Sequence, residues 1–151
     1  MKIEIIAIGA LRKGAMFDAL SEYQKRMSWS VQFIIHESKQ RDQKARTREE
    51  HKKLIGSISS SAFVIAMDER GTSLPSLKFA QKIKDLQNQG RSHIQVIIGG
   101  ADGLNHEIRS RANLLLSFGQ QTWPHMLARV MLLEQIYRVQ QIIAGHPYHR
   151  E

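Results

Sequence analysis

The chain contains no cysteine. That excludes a disulfide framework and any thiolate metal site, and it removes the usual mark of an oxidising compartment. Long apolar runs are missing too, since the longest, such as AFVIAM, fall far short of the ~20 residues that a bilayer helix needs. The opening residues, MKIEIIAIGALRKG, have Glu4 inside the apolar run and no small-residue cleavage site behind it. They read as a strand rather than an export signal, and a cytoplasmic home without membrane contact is the expectation. No internal repeat or low-complexity linker divides the 151 residues, a length that suits one domain with its own hydrophobic core. A single folded unit over residues 1–151 is therefore expected.

Acidic residues are outnumbered, 14 against 22 Lys and Arg, for a net charge of +8. Such a balance suits a polyanionic partner, because each phosphate neutralised releases condensed counterions. The excess is concentrated in KQRDQKARTREEHKK, residues 39–53. Seven basic residues there face three acids, and the segment carries half of the chain's net charge. It reads as a solvated loop running into a surface helix, with Thr47 and Glu50 available as a capping box. RNA contact is compatible with that reading.

Hydrophobic patterning alternates between strands and helices. Lys2 to Ile8 is rich in β-branched residues and ends at Gly9, which predicts a first strand. Ala15 to Met27 places Met16, Leu20, Tyr23 and Met27 at helical spacing. WSVQFIIHE predicts a second strand, SAFVIAMDE and SHIQVIIGG two more, both nearly continuous in apolar residues as strands covered on two faces are. Between them SLKFAQKIKDLQNQG is an amphipathic helix ended by Gly90. A short helix near Asn105 to Arg111 leads to NLLLSF, another candidate buried strand. This order predicts an α/β layered fold with a mainly parallel sheet flanked by helices. The last helix, about Pro124 to Ile143, places Met126, Leu133 and Tyr137 on one side and Met131 and Ile142 nearly opposite. A helix apolar on two sides needs two neighbours, its own sheet and a second copy of the chain.

Three stretches carry candidate chemistry. VIIGGADGLNHEI places glycines 99, 100 and 103 between a strand and a helix, where backbone amides can approach a ligand; a tight turn with Asn105 capping the next helix is the plainer reading. The spacing is not G-x-G-x-x-G, and no acid lies between Glu107 and Glu134 to hold a ribose. Nicotinamide chemistry is thereby disfavoured. The lysine and hydroxyl of a phosphate-binding P-loop are absent as well. SFGQQTWPHMLAR, 117–129, reads either as an ordinary strand-to-helix connection or as the wall of a pocket for a flat heterocycle. The terminal HPYHRE holds two histidines, but Pro147 between them prevents the helix on which paired zinc-ligating histidines sit. No metal is expected.

Taken together, IEIIAIG, GGADGL, TWPHMLARVMLLEQIYR and HPYHRE make the chain similar to the RlmH family of ribosomal RNA methyltransferases, members of the SPOUT class. The resemblance runs from the first strand to the last residue and is strongest after Ile97. It implies a homodimer, a deep trefoil knot in the C-terminal half, and S-adenosylmethionine bound within that knot. The implied reaction is methylation at N3 of a pseudouridine in 23S rRNA of the assembled ribosome. Matching cofactor positions are Met67, Gly100, Gly119, Gln120, Gln121, Thr122, Trp123 and Pro124. A uracil-type N3 holds its proton at neutral pH, so the reaction needs a base and an in-line geometry. His149 is the candidate for proton transfer, with Tyr148 against the base and Arg150, Arg129 and Arg138 on phosphate. The main competing reading is a non-enzymatic, ribosome-associated RNA-binding protein built on the same scaffold, and a second is a small-molecule α/β enzyme whose basic surface is incidental.

Overall fold

The computed structural model describes residues 1–150; Glu151 lies outside the described residues. Five strands form one sheet in the order β2-β1-β4-β3-β5, and every pairing is parallel. The strands are β1 (Lys2–Ile8), β2 (Ser30–His36), β3 (Phe63–Thr72), β4 (His93–Ile98) and β5 (Leu114–Leu116). The helices are α1 (Ala15–Arg26), α2 (Gln43–Gly56), α3 (Ser76–Asn88), α4 (His106–Arg111) and α5 (His125–Ile143). Each strand is followed by a helix, which is what parallel pairing requires, since only a crossover can return the chain to the starting edge.

Period-two alternation splits β1 between two cores. Ile3, Ile5 and Ala7 join a cluster completed by Leu20 of α1, Phe79 and Ile83 of α3, and Leu132, Leu133, Ile136 and Val139 of α5. Ile6 and Ile8 point the other way, into a smaller cluster with Leu54 of α2 and Ile108 of α4. The sheet is thus covered on both faces, and this explains why its central strands read as continuous apolar runs.

Helix α5 departs from the expectation of one intramolecular neighbour. It packs beside both α1 and α3, so Met126, Val130 and Ile142 are covered within the chain. What remains half-buried on its outward side is Leu127 and Met131, one turn apart, followed by Glu134 and Arg138. Helix α2 also departs from expectation: it starts at Gln43, and its cap is Asp42, whose carboxylate accepts from the amide of Ala45 at 2.8 Å. Thr47 lies a turn inside the helix. A capping box placed there is overridden by an earlier aspartate that meets the free amides first.

Strand β3 runs further than its apolar stretch. Met67 pairs with Leu116, the chain bulges, and Thr72 pairs with the same Leu116. The amide of Ser117 donates to the carbonyl of Thr72 at 3.0 Å. The segment 68–72 is therefore folded over β5. Gly71 permits the approach, because a Cβ there would sit 2.7 Å from the backbone of Leu115.

Candidate active site

In a parallel sheet all carboxyl ends lie along one edge, where loops can surround a ligand. Here β4, β3 and β5 are successive neighbours. Loop 99–104 leaves β4 and loop 117–124 leaves β5, with Met67 on the strand between them. The topology therefore brings Met67, Gly100 and residues 119–124 to one edge.

Loop 99–104 is a tight backbone construction. Gly100 and Gly103 form a bridge, and the amide of Gly103 donates to the carbonyl of Gly100 at 3.0 Å. A Cβ on Gly99 would lie 2.7 Å from the carbonyl oxygen of Gly103, closer than side-chain carbons come. Asn105 caps α4 by accepting from the amide of Ile108 at 3.0 Å, so the turn-and-cap reading holds whatever else the loop does.

Loop 117–124 is organised by Ser117, whose role the sequence did not announce. Its hydroxyl meets the carbonyl of Gly119 at 3.0 Å and the carbonyl of Glu69 at 3.2 Å, and the amide of Gly119 points to the same oxygen at 3.0 Å. Gly119 has a positive φ of 104°. The signal available beforehand was a serine two residues before a glycine, the usual local hydroxyl turn. Gln120, Gln121, Thr122 and Pro124 are exposed, and Trp123 is 36% exposed with its indole N–H donating to the carbonyl of Phe118 at 3.3 Å. Nearby, Arg109 of α4 pairs with Asp68 at 3.2 Å and fixes the chain just past Met67.

Two arginines are occupied within the protein. Arg129 is 1% exposed. Its Nη2 donates to the carbonyls of Ile8 and Gly9 at 2.7 and 2.8 Å, and its Nη1 to that of Ala10 at 3.3 Å. Burial lowers its pKa, yet a guanidinium stays charged. A phosphate contact for Arg129 is therefore corrected: its donors hold the end of β1 and face no solvent. Arg138 pairs with Glu134 one turn earlier, which raises its pKa.

The tail folds back along α5. Gly145, at φ 69°, ends the helix, and Tyr148 stacks edge-on against Tyr137 with centroids 4.9 Å apart. Arg138 lies 4.9 Å from the centroid of the Tyr148 ring, whose hydroxyl donates to Glu134 at 3.3 Å. Burial, first of all, pushes the Tyr148 hydroxyl up to about 12, so it remains a donor at neutral pH. Nη1 of Arg138 donates to Nδ1 of His149 at 3.2 Å. Arg150 is exposed. Among the described residues no cluster of three metal-type ligands exists, and no helix is long and apolar enough to cross a membrane.

The family model described as "Predicted SPOUT methyltransferase" matches residues 1–149. The chain belongs to the SPOUT methyltransferase family. Relatives named "Ribosomal RNA large subunit methyltransferase H" include one from Rhodospirillum centenum, 44% identical, with 99% of each chain covered. Another, from Zymomonas mobilis, is 42% identical over 100% of this chain and 99% of its own. Among solved structures, a probable methylase family protein from Haemophilus influenzae superposes with a TM-score of 0.60 at 13% identity, covering 99% of this chain and 70% of that one. The SpoU methyltransferase AviRb from Streptomyces viridochromogenes, solved with AdoMet, gives 0.50 at 11%, covering 96% and 59%. Both support the SPOUT fold, a parallel sheet between helical layers.

Proposed function

We propose that this SPOUT protein methylates 23S rRNA in the assembled ribosome, at N3 of a pseudouridine, using S-adenosylmethionine. The observation that carries the reading is the placing of loops 99–104 and 117–124 on either side of the strand that bears Met67, in a chain matched over its full length by relatives named for methylating large-subunit ribosomal RNA. The fit to the donor rests on backbone. Gly100 and Gly119 leave the loop backbone uncovered by side chains, so that a ligand can come close, while Met67 and Trp123 supply apolar and aromatic surface. Gln120, Gln121, Thr122 and Pro124 complete the rim.

S-adenosylmethionine supplies an electrophilic methyl group on a sulfonium. The protein's part is to hold the uracil-type ring so that N3 faces that methyl, and to take the N3 proton. His149 is assigned the proton and Tyr148 the base, with Arg150 on a nearby phosphate. In the described conformation His149 is not ready for this, because its Nδ1 accepts from Arg138. Nδ1 becomes available for the proton when the tail lifts from Arg138. Arg138 reaches phosphate only if it exchanges Glu134 for it.

The reading includes a homodimer, which a distance supports. Helix α5 has 19 residues, about 28 Å at 1.5 Å per residue. Tyr148 lies against Tyr137 and Glu134, about 15 Å along the axis from the start of the helix, where loop 117–124 ends. The tail therefore serves a donor site on a second copy more readily than its own, and half-buried Leu127 and Met131 are the surface that such a copy would cover. The family's trefoil knot finds support in the fold of 68–72 over β5.

Titration calorimetry with S-adenosylmethionine and S-adenosylhomocysteine tests the reading, followed by labelled methyl transfer to ribosomes from cells lacking the modification and mapping of the product. Donor binding without RNA and one labelled pseudouridine are expected. Absence of both would favour an RNA-binding protein without catalysis.

A further inference from the structure

We infer that the outward face of α2 is the surface on which this protein docks the phosphate backbone of ribosomal RNA, beside the donor site. The inference rests on the proposed rRNA reaction and names the surface that grips its substrate.

The first observation is how α2 sorts its charges. Its acids turn inward: Glu49 pairs with Lys53 at 2.6 Å and accepts from Ser38, and Glu50 lies against Gly100. Three of the helix's cations turn outward. Lys44, Arg48 and Lys52 recur every four residues, all exposed, and none enters an ion pair among the described residues. Four residues rise about 6 Å, so the three form one stripe down a single side. Arg41, just before the helix, is exposed as well.

The second observation is where the stripe sits. Asp102, in the tip of the glycine loop, accepts from Thr47 at 2.6 Å and from Gln43 at 3.1 Å, and these bonds hold its pKa down. His51 donates to the carbonyl of Gly103 at 3.1 Å. An open groove of about 540 Å³ runs along this seam, lined by Gln43, Lys44, Thr47, Arg48, His51 and Asp102. Both oxygens of the one carboxylate in its wall are already engaged by donors, so the groove offers its Lys and Arg to a ligand. A solvated helix needs no latch to a loop 55 residues away. Phosphates laid on this stripe bring the RNA alongside loop 99–104, whereas RNA held elsewhere would have to reach it.

RNA binding of this kind releases counterions, and the salt dependence counts the contacts. The test compares the full-length protein with the triple variant Lys44→Gln, Arg48→Gln, Lys52→Gln. A control of equal charge change is Lys78→Gln, Lys82→Gln, Lys84→Gln, three exposed positions on α3. Affinity for ribosomes lacking the modification, and for protein-free 23S rRNA, is measured from 50 to 300 mM salt, with donor affinity by calorimetry alongside. Expected for the α2 variant are at least a tenfold loss on both RNA targets, a salt slope shallower by about two to three, and donor affinity within twofold of the parent. Equal losses in the α3 control, or a loss on ribosomes with none on free rRNA, would overturn the inference, the latter by moving the contact to a ribosomal protein. Intact donor binding and methyl transfer with an unaffected α2 variant would overturn the surface and leave the reaction standing. Absent donor binding with a weakened α2 variant would do the reverse.

Discussion

Single residues decide how tightly the sheet is held. Glu4 is 8% exposed on β1, where its carboxylate accepts from His93 at 2.9 Å and Gln95 at 2.8 Å and pairs with Lys2 at 2.5 Å. The Lys2 bond foremost, against the opposing effect of burial, holds it at about 2. A carboxylate depressed in the fold adds stability above its unfolded value, near 4.5, and that stability drains away as pH falls toward 2. Because Lys2 is half exposed, screening limits the gain to about 1–2 kcal/mol. Glu4→Gln is expected to lower urea stability by that amount at pH 7 and by much less at pH 2.5. Arg129 is a harsher case. Arg129→Met leaves the carbonyls of Ile8, Gly9 and Ala10 without their donor, at a cost of about 2–4 kcal/mol that thermal unfolding will show. At Gly99, alanine meets the Gly103 carbonyl; Gly99→Ala should weaken donor binding at least tenfold in calorimetry with little change in far-UV circular dichroism.

At the scale of elements, much was legible. β1 is found at the residues its pattern indicated, and β2, β4, α3 and α4 match within a residue or two, because burial on two faces writes itself as unbroken apolar sequence. What patterning missed has a common cause, which is contact between distant segments. The α2 start followed Asp42, and Thr47, free of the cap, bonds Asp102. β3 continued past Glu69, where its pattern stops, through Arg70 and Gly71 to Thr72, since β5 rather than a core holds that end. Ser117 and Arg129 were equally silent. One is an ordinary turn serine and the other looked like a surface cation; each acts through backbone that only the fold brings near. The candidate donor residues came from family likeness, not from spacing. Removing the latch tests the element directly: Asp102→Ala leaves Thr47 and Gln43 unpartnered at the surface, so stability should change by less than about 1 kcal/mol. Amide exchange in 43–56 should rise several-fold.

For the whole molecule, the tail and the proposed second copy are tested together. Deleting Tyr148 to Glu151 removes the contacts to Tyr137 and Glu134 but no residue of either core. Light scattering after gel filtration should still report a dimer with an unchanged melting profile, while methyl transfer to ribosomes falls by at least a hundredfold. Mixing the truncated chain with one disabled at the donor loop by Gly99→Ala then becomes informative. If the tail serves the partner, heterodimers carry one complete site and recover part of the activity.

Parallel pairing also shapes how the protein comes into being. β1 lies inside the sheet between β2 and β4, with Lys2 opposite His93 and Ala7 opposite Ile98. During translation, the strand made first must wait for a neighbour encoded some ninety codons later, and until then Ile3, Ile5 and Ile6 have only β2 beside them. Contacts so far apart in the chain form slowly, and unpaired apolar strands invite aggregation meanwhile. The nascent chain is therefore expected to depend on chaperones at the tunnel exit.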